Sequence, residues 1–222
     1  MTGKAAAFAA DRRPPGRFIT FEGGDGAGKS TQAALLAEWL QAGGRTVLRT
    51  REPGGTDLGM RIREMVLHER GHIAPRAEAL LYAADRAHHV ETLVRPALER
   101  GEVVIQDRYI DSSIAYQGAG RGLGADHIRA VSDWAAAGLT PDLTVLLDLD
   151  VAVGRARVSA ARGTLDRLES EAAAFHDTVR QAFLEMARDE PDRFLVLDAA
   201  EPQDELAARI RAAVAPRTGA TA

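Results

Sequence analysis

Phe18-Ile19-Thr20-Phe21-Glu22-Gly23-Gly24-Asp25-Gly26-Ala27-Gly28-Lys29-Ser30-Thr31 is the stretch from which the architecture of this chain is read. Phe18 to Glu22 is a short β-prone run, and a helical pattern from Gln32 to Gln41 follows the glycines and stops at Gly43-Gly44. Strand, glycine turn and helix, in that order, are the setting that the pattern G-x-x-x-x-G-K-[ST], here Gly23 to Ser30, requires. Glycines let successive backbone N–H groups curl into a ring of donors, and the helix N-terminus adds its dipole. Lys29 is then placed to reach β- and γ-phosphates, and Ser30 to ligate Mg2+. ATP with Mg2+ is the expected ligand of Gly23, Gly24, Asp25, Gly26, Ala27, Gly28, Lys29, Ser30 and Thr31. The alternative is a glycine turn that holds Lys and Ser by chance, which the matching strand-turn-helix context disfavours.

Lysine usage adds weight to that reading. Lys4 and Lys29 are the only lysines among the 28 basic residues, so a chain that otherwise uses arginine keeps one compact ammonium inside the loop. A point charge suits a phosphate cradle better than a planar fork does. The same scarcity leaves no N-K-x-D guanine motif, which argues against an ordinary GTPase.

Four further apolar runs lie at Thr46 to Leu48, Val103 to Ile105, Leu143 to Leu149 and Phe194 to Leu197, with long helical stretches between them. This alternation predicts an α/β fold with a five-stranded parallel sheet flanked by helices. Ala79, Leu80, Ala83, Ala87, Val90, Leu93 and Leu98 recur at three- and four-residue spacings, so residues 76–100 read as one long helix that Pro96 bends or shortens.

The 222 residues fit a single domain over 17–215, with loose tails at 1–16 and 216–222. A net charge of −4 gives no global attraction to nucleic acid, and no apolar run approaches the ~20 residues that span a bilayer. Cysteine is absent, which fits a reducing cytoplasm. His68, His72, His88, His89, His127 and His176 show no metal-binding spacing and read as incidental.

Arg51-Glu52-Pro53-Gly54-Gly55 and Asp107-Arg108-Tyr109 each follow a predicted strand, at the carboxyl edge where open α/β sheets bind ligands. Arg51 either meets a phosphate there or is a solvated residue of a tight turn. Asp107 would supply an acid for Mg2+ beside Ser30, and Arg108 a guanidinium for phosphate.

In sequence order, Phe18 to Ser30, Arg51-Glu52-Pro53-Gly54-Gly55, Leu81-Tyr82-Ala83-Ala84-Asp85-Arg86, Asp107-Arg108-Tyr109-Ile110-Asp111-Ser112-Ser113, Ala115-Tyr116-Gln117-Gly118, Gly120-Arg121-Gly122 and Pro141-Asp142-Leu143-Thr144 together resemble bacterial thymidylate kinases. The resemblance extends over about residues 17–214. It implies a P-loop kinase fold that transfers the γ-phosphate of ATP to dTMP, on the route to dTTP, in a cytoplasmic homodimer. It further implies that Tyr82 stacks on the base, that Arg86 bonds a thymine carbonyl, and that Gln117 and Ser113 meet the base edge. Tyr116 would lie beside the sugar C2′, and Arg51, Arg63 and Arg108 around the dTMP phosphate. Asp25 and Glu22 would lie near the sugar hydroxyl and the magnesium cluster, with Glu22 joining Ser30 and Asp107 as metal ligands.

Arg155, Arg157, Arg162 and Arg167 are concentrated between Val153 and Leu168, around Gly163-Thr164, and the segment of about 154–168 resembles the family's lid. Members of the family carry the catalytic arginine in the P-loop or in the lid, and Asp25-Gly26 leaves no arginine in this P-loop. Arg162, Arg167 and Arg155 are therefore the catalytic candidates, with Lys29 and Arg108. Two other readings share these residues: a kinase for a different nucleoside or nucleotide, and a nucleotide-binding regulator without turnover.

Overall fold

The computed structural model describes residues 16–68, 71–162 and 166–219. Residues 1–15 and 220–222, Gly163-Thr164-Leu165 and the side chain of Arg162 lie outside the described residues, so the N-terminal tail, the last three residues of the C-terminal tail and part of the lid expectation fall beyond them.

Five parallel strands run in the order β2-β3-β1-β4-β5: β1 Arg17–Glu22, β2 Val47–Arg51, β3 Val103–Asp107, β4 Leu143–Asp148 and β5 Phe194–Asp198. The helices are α1 Lys29–Ala42, α2 Asp57–His68, α3 Pro75–His89, α4 Arg95–Glu99, α5 Ile110–Ser113, α6 Ala125–Ala135, α7 Val151–Arg162, α8 Ala173–Asp189 and α9 Gln203–Thr218. β1, β3 and β4 are apolar runs because both of their faces are covered. On one face Phe18, Val104 and Leu146 pack with Val66, Val90, Ile114 and Phe183. On the other, Ile19, Phe21, Ile105, Val145 and Leu147 pack with Leu36, Leu40, Leu206 and Ile210. The period-two alternation along β1 and β4 assigns their side chains to these two layers.

Register positions the site. Phe21 of β1 and Arg51 of β2 both align with Asp107 of β3, so three chain segments leave the sheet at one level of its carboxyl edge. β1 lies between β3 and β4, and the crevice at such a reversal of strand order is where open sheets of this kind bind ligands.

Two expectations change in the fold. The helix predicted over 76–100 is interrupted by a π-helical turn, Val90–Val94, where Arg95 N–H donates to Val90 O. Pro96 has no N–H to give to a carbonyl one turn back, and the wider turn precedes it, so the helix passes Pro96 rather than stopping there. The C-terminal tail expected from Pro216 is instead the last turn of α9, which runs to a buried Thr218 and is capped by Gly219 at φ 67°.

Candidate active site

Gly23 follows β1 at φ 130°, and a Cβ there would come within 2.3 Å of Leu147 O, so only glycine lets the loop pass this close to β4. Gly26 is held in the same way beside Gly154, where a Cβ would lie 2.5 Å from the carbonyl. The loop ends at Gly28, the N-cap of α1, which offers no side-chain cap and no acid in its first turn. The first N–H groups of α1 and its positive dipole end are thus open to an anion. Lys29 is buried and donates to Gly23 O over 3.0 Å and to Gly24 O over 2.8 Å, which holds the ammonium against the loop.

Ser30 Oγ donates to Asp107 Oδ2 over 2.9 Å, while the buried Asp107 Oδ1 has no hydrogen-bond partner among the described residues. A hydroxyl and a half-used carboxylate facing each other fit Mg2+, a hard ion that takes a few protein oxygens and completes its shell with phosphate and water. Glu22 does not belong to this pair, contrary to the sequence expectation. It is fully buried behind the loop and accepts from Tyr109 N–H over 2.7 Å and from Ser112 Oγ over 2.6 Å. Both of its oxygens brace the turn after β3, and burial, with Asp111 nearby, pushes its carboxyl up to about 7.

That turn carries Arg108, whose backbone is left-handed at φ 67°. A non-glycine residue there is strained by roughly 1–2 kcal/mol. Its N–H donates to Phe21 O and its carbonyl accepts from Gln106 Nε2, each over 3.0 Å, which holds the strained geometry. The guanidinium reaches across to the loop, donating to Asp25 Oδ1 over 2.5 Å, to Gly23 O and Ser112 Oγ over 3.1 Å, and lying 5.1 Å from the Tyr116 ring centre. Burial opposes the charge of Asp25, but Arg108 and Lys29 outweigh it and hold the carboxyl below its usual range.

A single cleft of about 860 Å3 joins these parts. Gly26, Gly28, Lys29, Ser30, Thr31 and Asp107 line one end, and Arg51, Arg63, Tyr82, Ser113, Tyr116 and Gln117 line the other, with Asp25, Arg86 and Arg108 also on its wall. All the residues expected around dTMP therefore share one cavity with the P-loop. Arg63 Nη1 donates to Pro53 O over 3.0 Å, and among the described residues Arg51 makes only a long contact of 3.6 Å to Met60 Sδ. Arg86 is nearly fully buried and donates to Glu52, Ser132, Tyr109 O and Ser113. Four of the five guanidinium N–H groups are thereby committed, which leaves one for a ligand carbonyl.

The lid arginines divide. Arg167 donates to Glu78 and, over 2.8 Å, to Val66 O, and Arg155 donates to Glu171 O over 2.8 Å. Neither lines the cleft, so the expectation that both point at the phosphates does not match this arrangement. Arg157, the lid arginine left out of the catalytic candidates, does line it and donates to Gly26 O and Ala199 O over 3.4 and 3.2 Å. His89 also departs from its incidental reading. It is buried and bridges Glu52 Oε1 at 3.0 Å and Thr50 Oγ1 at 2.7 Å, pinning the segment after β2 to α3. The pairing of Gln117 with Glu78 escaped the sequence reading, because only tertiary structure brings α3 against the π-helical turn at Ile114–Gly120.

Comparison with known proteins decides the family. The family model described as thymidylate kinase matches residues 21–210. The chain belongs to the thymidylate kinase family. The thymidylate kinase of Clavibacter michiganensis subsp. michiganensis is 70% identical over 196 residues, covering 88% of this chain and 93% of that protein. That of Deinococcus radiodurans is 57% identical over 202 residues, covering 91% and 98% respectively. Among solved structures, thymidylate kinase from Ehrlichia chaffeensis superposes with a TM-score of 0.76 at 31% identity, covering 90% of this chain and all of that one. No helix among the described residues is long and apolar enough to cross a membrane.

Proposed function

We propose that this member of the family transfers the γ-phosphate of ATP to dTMP, giving ADP and dTDP. The observation that carries this reading is the shared cleft, with a triphosphate loop at one end and Tyr82, Arg86, Ser113, Tyr116 and Gln117 at the other. A phosphate monoester has its second pKa near ~6, so the acceptor oxygen is already a nucleophile at neutral pH and needs no general base. The difficulty is to hold two polyanions in line at short range.

Lys29 and the N-terminus of α1 would hold the donor phosphates, while Arg108, with Arg51 and Arg63 on the same cleft wall, would hold the acceptor phosphate. Asp25 keeps Arg108 oriented between the two ends of the cleft. Ser30 and Asp107 would hold Mg2+, which would supply positive charge against the phosphates. Tyr82 would offer a face for the base, and the Tyr116 ring on the cleft wall would exclude a ribose 2′-hydroxyl. In the lid, Arg162 at the end of α7 is kept as a candidate for the transferred group on the family resemblance, beside Arg157, which lines the cleft, while Arg155 and Arg167 bond Glu171 and Glu78.

A cytoplasmic homodimer belongs to the same reading. Met65, Leu80 and Trp134 are exposed by 50%, 61% and 83% on α2, α3 and α6, helices that pack side by side and present an apolar face suited to a second copy.

An acceptor panel tests the activity: dTMP, dUMP, dCMP and thymidine with Mg-ATP, read by ADP release. The reading requires dTMP to give the highest kcat/KM, and faster turnover of dCMP or thymidine would overturn it.

A further inference from the structure

Glu78 sits in the first turn of α3, with Tyr82 and Arg86 one and two turns further along the same stripe. It is completely buried, yet it carries a charge that no proposed substrate contact explains. Gln117 Nε2 donates to its Oε1 over 2.9 Å, Arg121 donates to both oxygens over 3.3 Å, and Arg167 Nη2 donates to Oε2. Burial opposes ionisation, but the bonds from Gln117, Arg167 and Arg121 outweigh it and hold the carboxyl below its ordinary range. At neutral pH this group is therefore an acceptor only.

An acceptor-only partner settles which end of an amide faces it. The NH2 group of Gln117 must turn to Glu78, so the carbonyl oxygen is turned away from that carboxylate, with one amide hydrogen still free. Thymine presents N3–H between two carbonyl oxygens, whereas cytosine presents an unprotonated N3 and an amino group. A carbonyl oxygen held opposite N3, with the free N–H opposite the 4-substituent, complements the first pattern and repels the second, whereas an amide free to turn over could pair with either.

From this geometry we infer that Glu78 is a positioning residue for base selection: it locks the Gln117 amide so that the cleft accepts a pyrimidine with N3–H and rejects cytosine. The inference rests on the acceptor reading proposed above. The same carboxylate binds Arg167, whose own Nε holds Val66 O at the end of α2, so the segment after the lid is fastened to the helices bearing Arg63 and Tyr82.

The experiment is a double-mutant cycle of Glu78→Gln and Gln117→Met, with kcat/KM measured for dTMP and for dCMP. Glu78→Gln keeps the shape but offers Gln117 a partner that can donate or accept. It is expected to lower the dTMP-to-dCMP ratio at least about tenfold, with the KM for ATP changing less than about twofold. In the Gln117→Met background, the same substitution should leave the ratio unchanged, because the amide through which Glu78 acts is gone. A ratio preserved in Glu78→Gln, or lost equally in both backgrounds, would overturn the inference.

If Glu78→Gln does not fold at the assay temperature, the Gln117 side-chain amide of the unsubstituted protein gives the reading by NMR. One slowly exchanging amide proton supports the lock, and solvent-like exchange of both sinks it. A parent enzyme that prefers dCMP would instead defeat the acceptor assignment, a distinct failure.

Discussion

Arg108 of the turn after β3 and Asp25 of the P-loop form an ion pair of 2.5 Å, so the groups expected to serve acceptor and donor are tied together. The pair stands between the two ends of the cleft, and Tyr116 flanks both members, its hydroxyl 3.5 Å from Asp25 Oδ2. A guanidinium already oriented in this way loses little entropy when it meets phosphate.

Arg108→Ala should therefore lower kcat/KM for dTMP by about 10²–10³, the range for losing one preorganised donor. Asp25→Asn keeps the loop's shape but frees the guanidinium and should give a smaller loss, carried mainly by kcat. Steady-state ADP release with dTMP varied separates the two, and an Asp25→Asn enzyme as impaired as Arg108→Ala would mean that Asp25 does more than orient its partner.

Lys29→Ala removes the one ammonium at the triphosphate end, where it is buried against Gly23 O and Gly24 O. Turnover should fall by at least about a hundredfold, while dTMP affinity measured calorimetrically without ATP stays within about threefold. Retained turnover would remove the P-loop from the mechanism.

The lid arginines should separate by role. Arg162→Ala is expected to reduce kcat by about 10³ or more if it supplies the charge of a cis arginine finger. Arg167→Ala should act on the acceptor side, raising the KM for dTMP, because its bonds run to Glu78 and Val66. Single-turnover rates at saturating dTMP distinguish these effects, and an Arg162→Ala enzyme with parental kcat would move the catalytic assignment to Arg157, the lid arginine that lines the cleft.

How much of this could be read from sequence depended on the range over which each signal acts. The strands and the phosphate loop were legible because apolar runs covered on both faces and glycines at fixed offsets are local patterns. The π-helical turn at Val90–Val94 was not, since a three- and four-residue apolar spacing looks the same on either side of one widened turn. Acids and histidines were the hardest to place. Glu22 next to a glycine loop reads as a metal ligand until Tyr109 and Ser112, 87 and 90 positions away, take both of its oxygens. His89 resembles any helical histidine until Glu52, 37 positions earlier, is brought against it.

Glu22 also makes a prediction about pH. Its carboxyl is pushed from 4.5 up to about 7, first by burial and then by Asp111, so the folded chain binds a proton more tightly than the unfolded chain does. This contribution to stability is fully present below pH 4.5 and is lost as the pH rises through about 7. The loss is on the order of 3 kcal/mol. Asp85, raised to about 6 by burial and then by Glu52, has the same sign over a narrower window. Asp25, Glu78 and Glu190, held low, act oppositely, and their contributions fade only as the pH falls below the ordinary carboxylate range. Glu22→Gln keeps the amide-sized bridge to Tyr109 and Ser112 but cannot ionise. Urea midpoints measured without nucleotide between pH 4.5 and 8 should therefore fall less steeply for the variant than for the parent chain. Parallel curves would mean that Glu22 is ionised throughout and that its two donors alone compensate its burial.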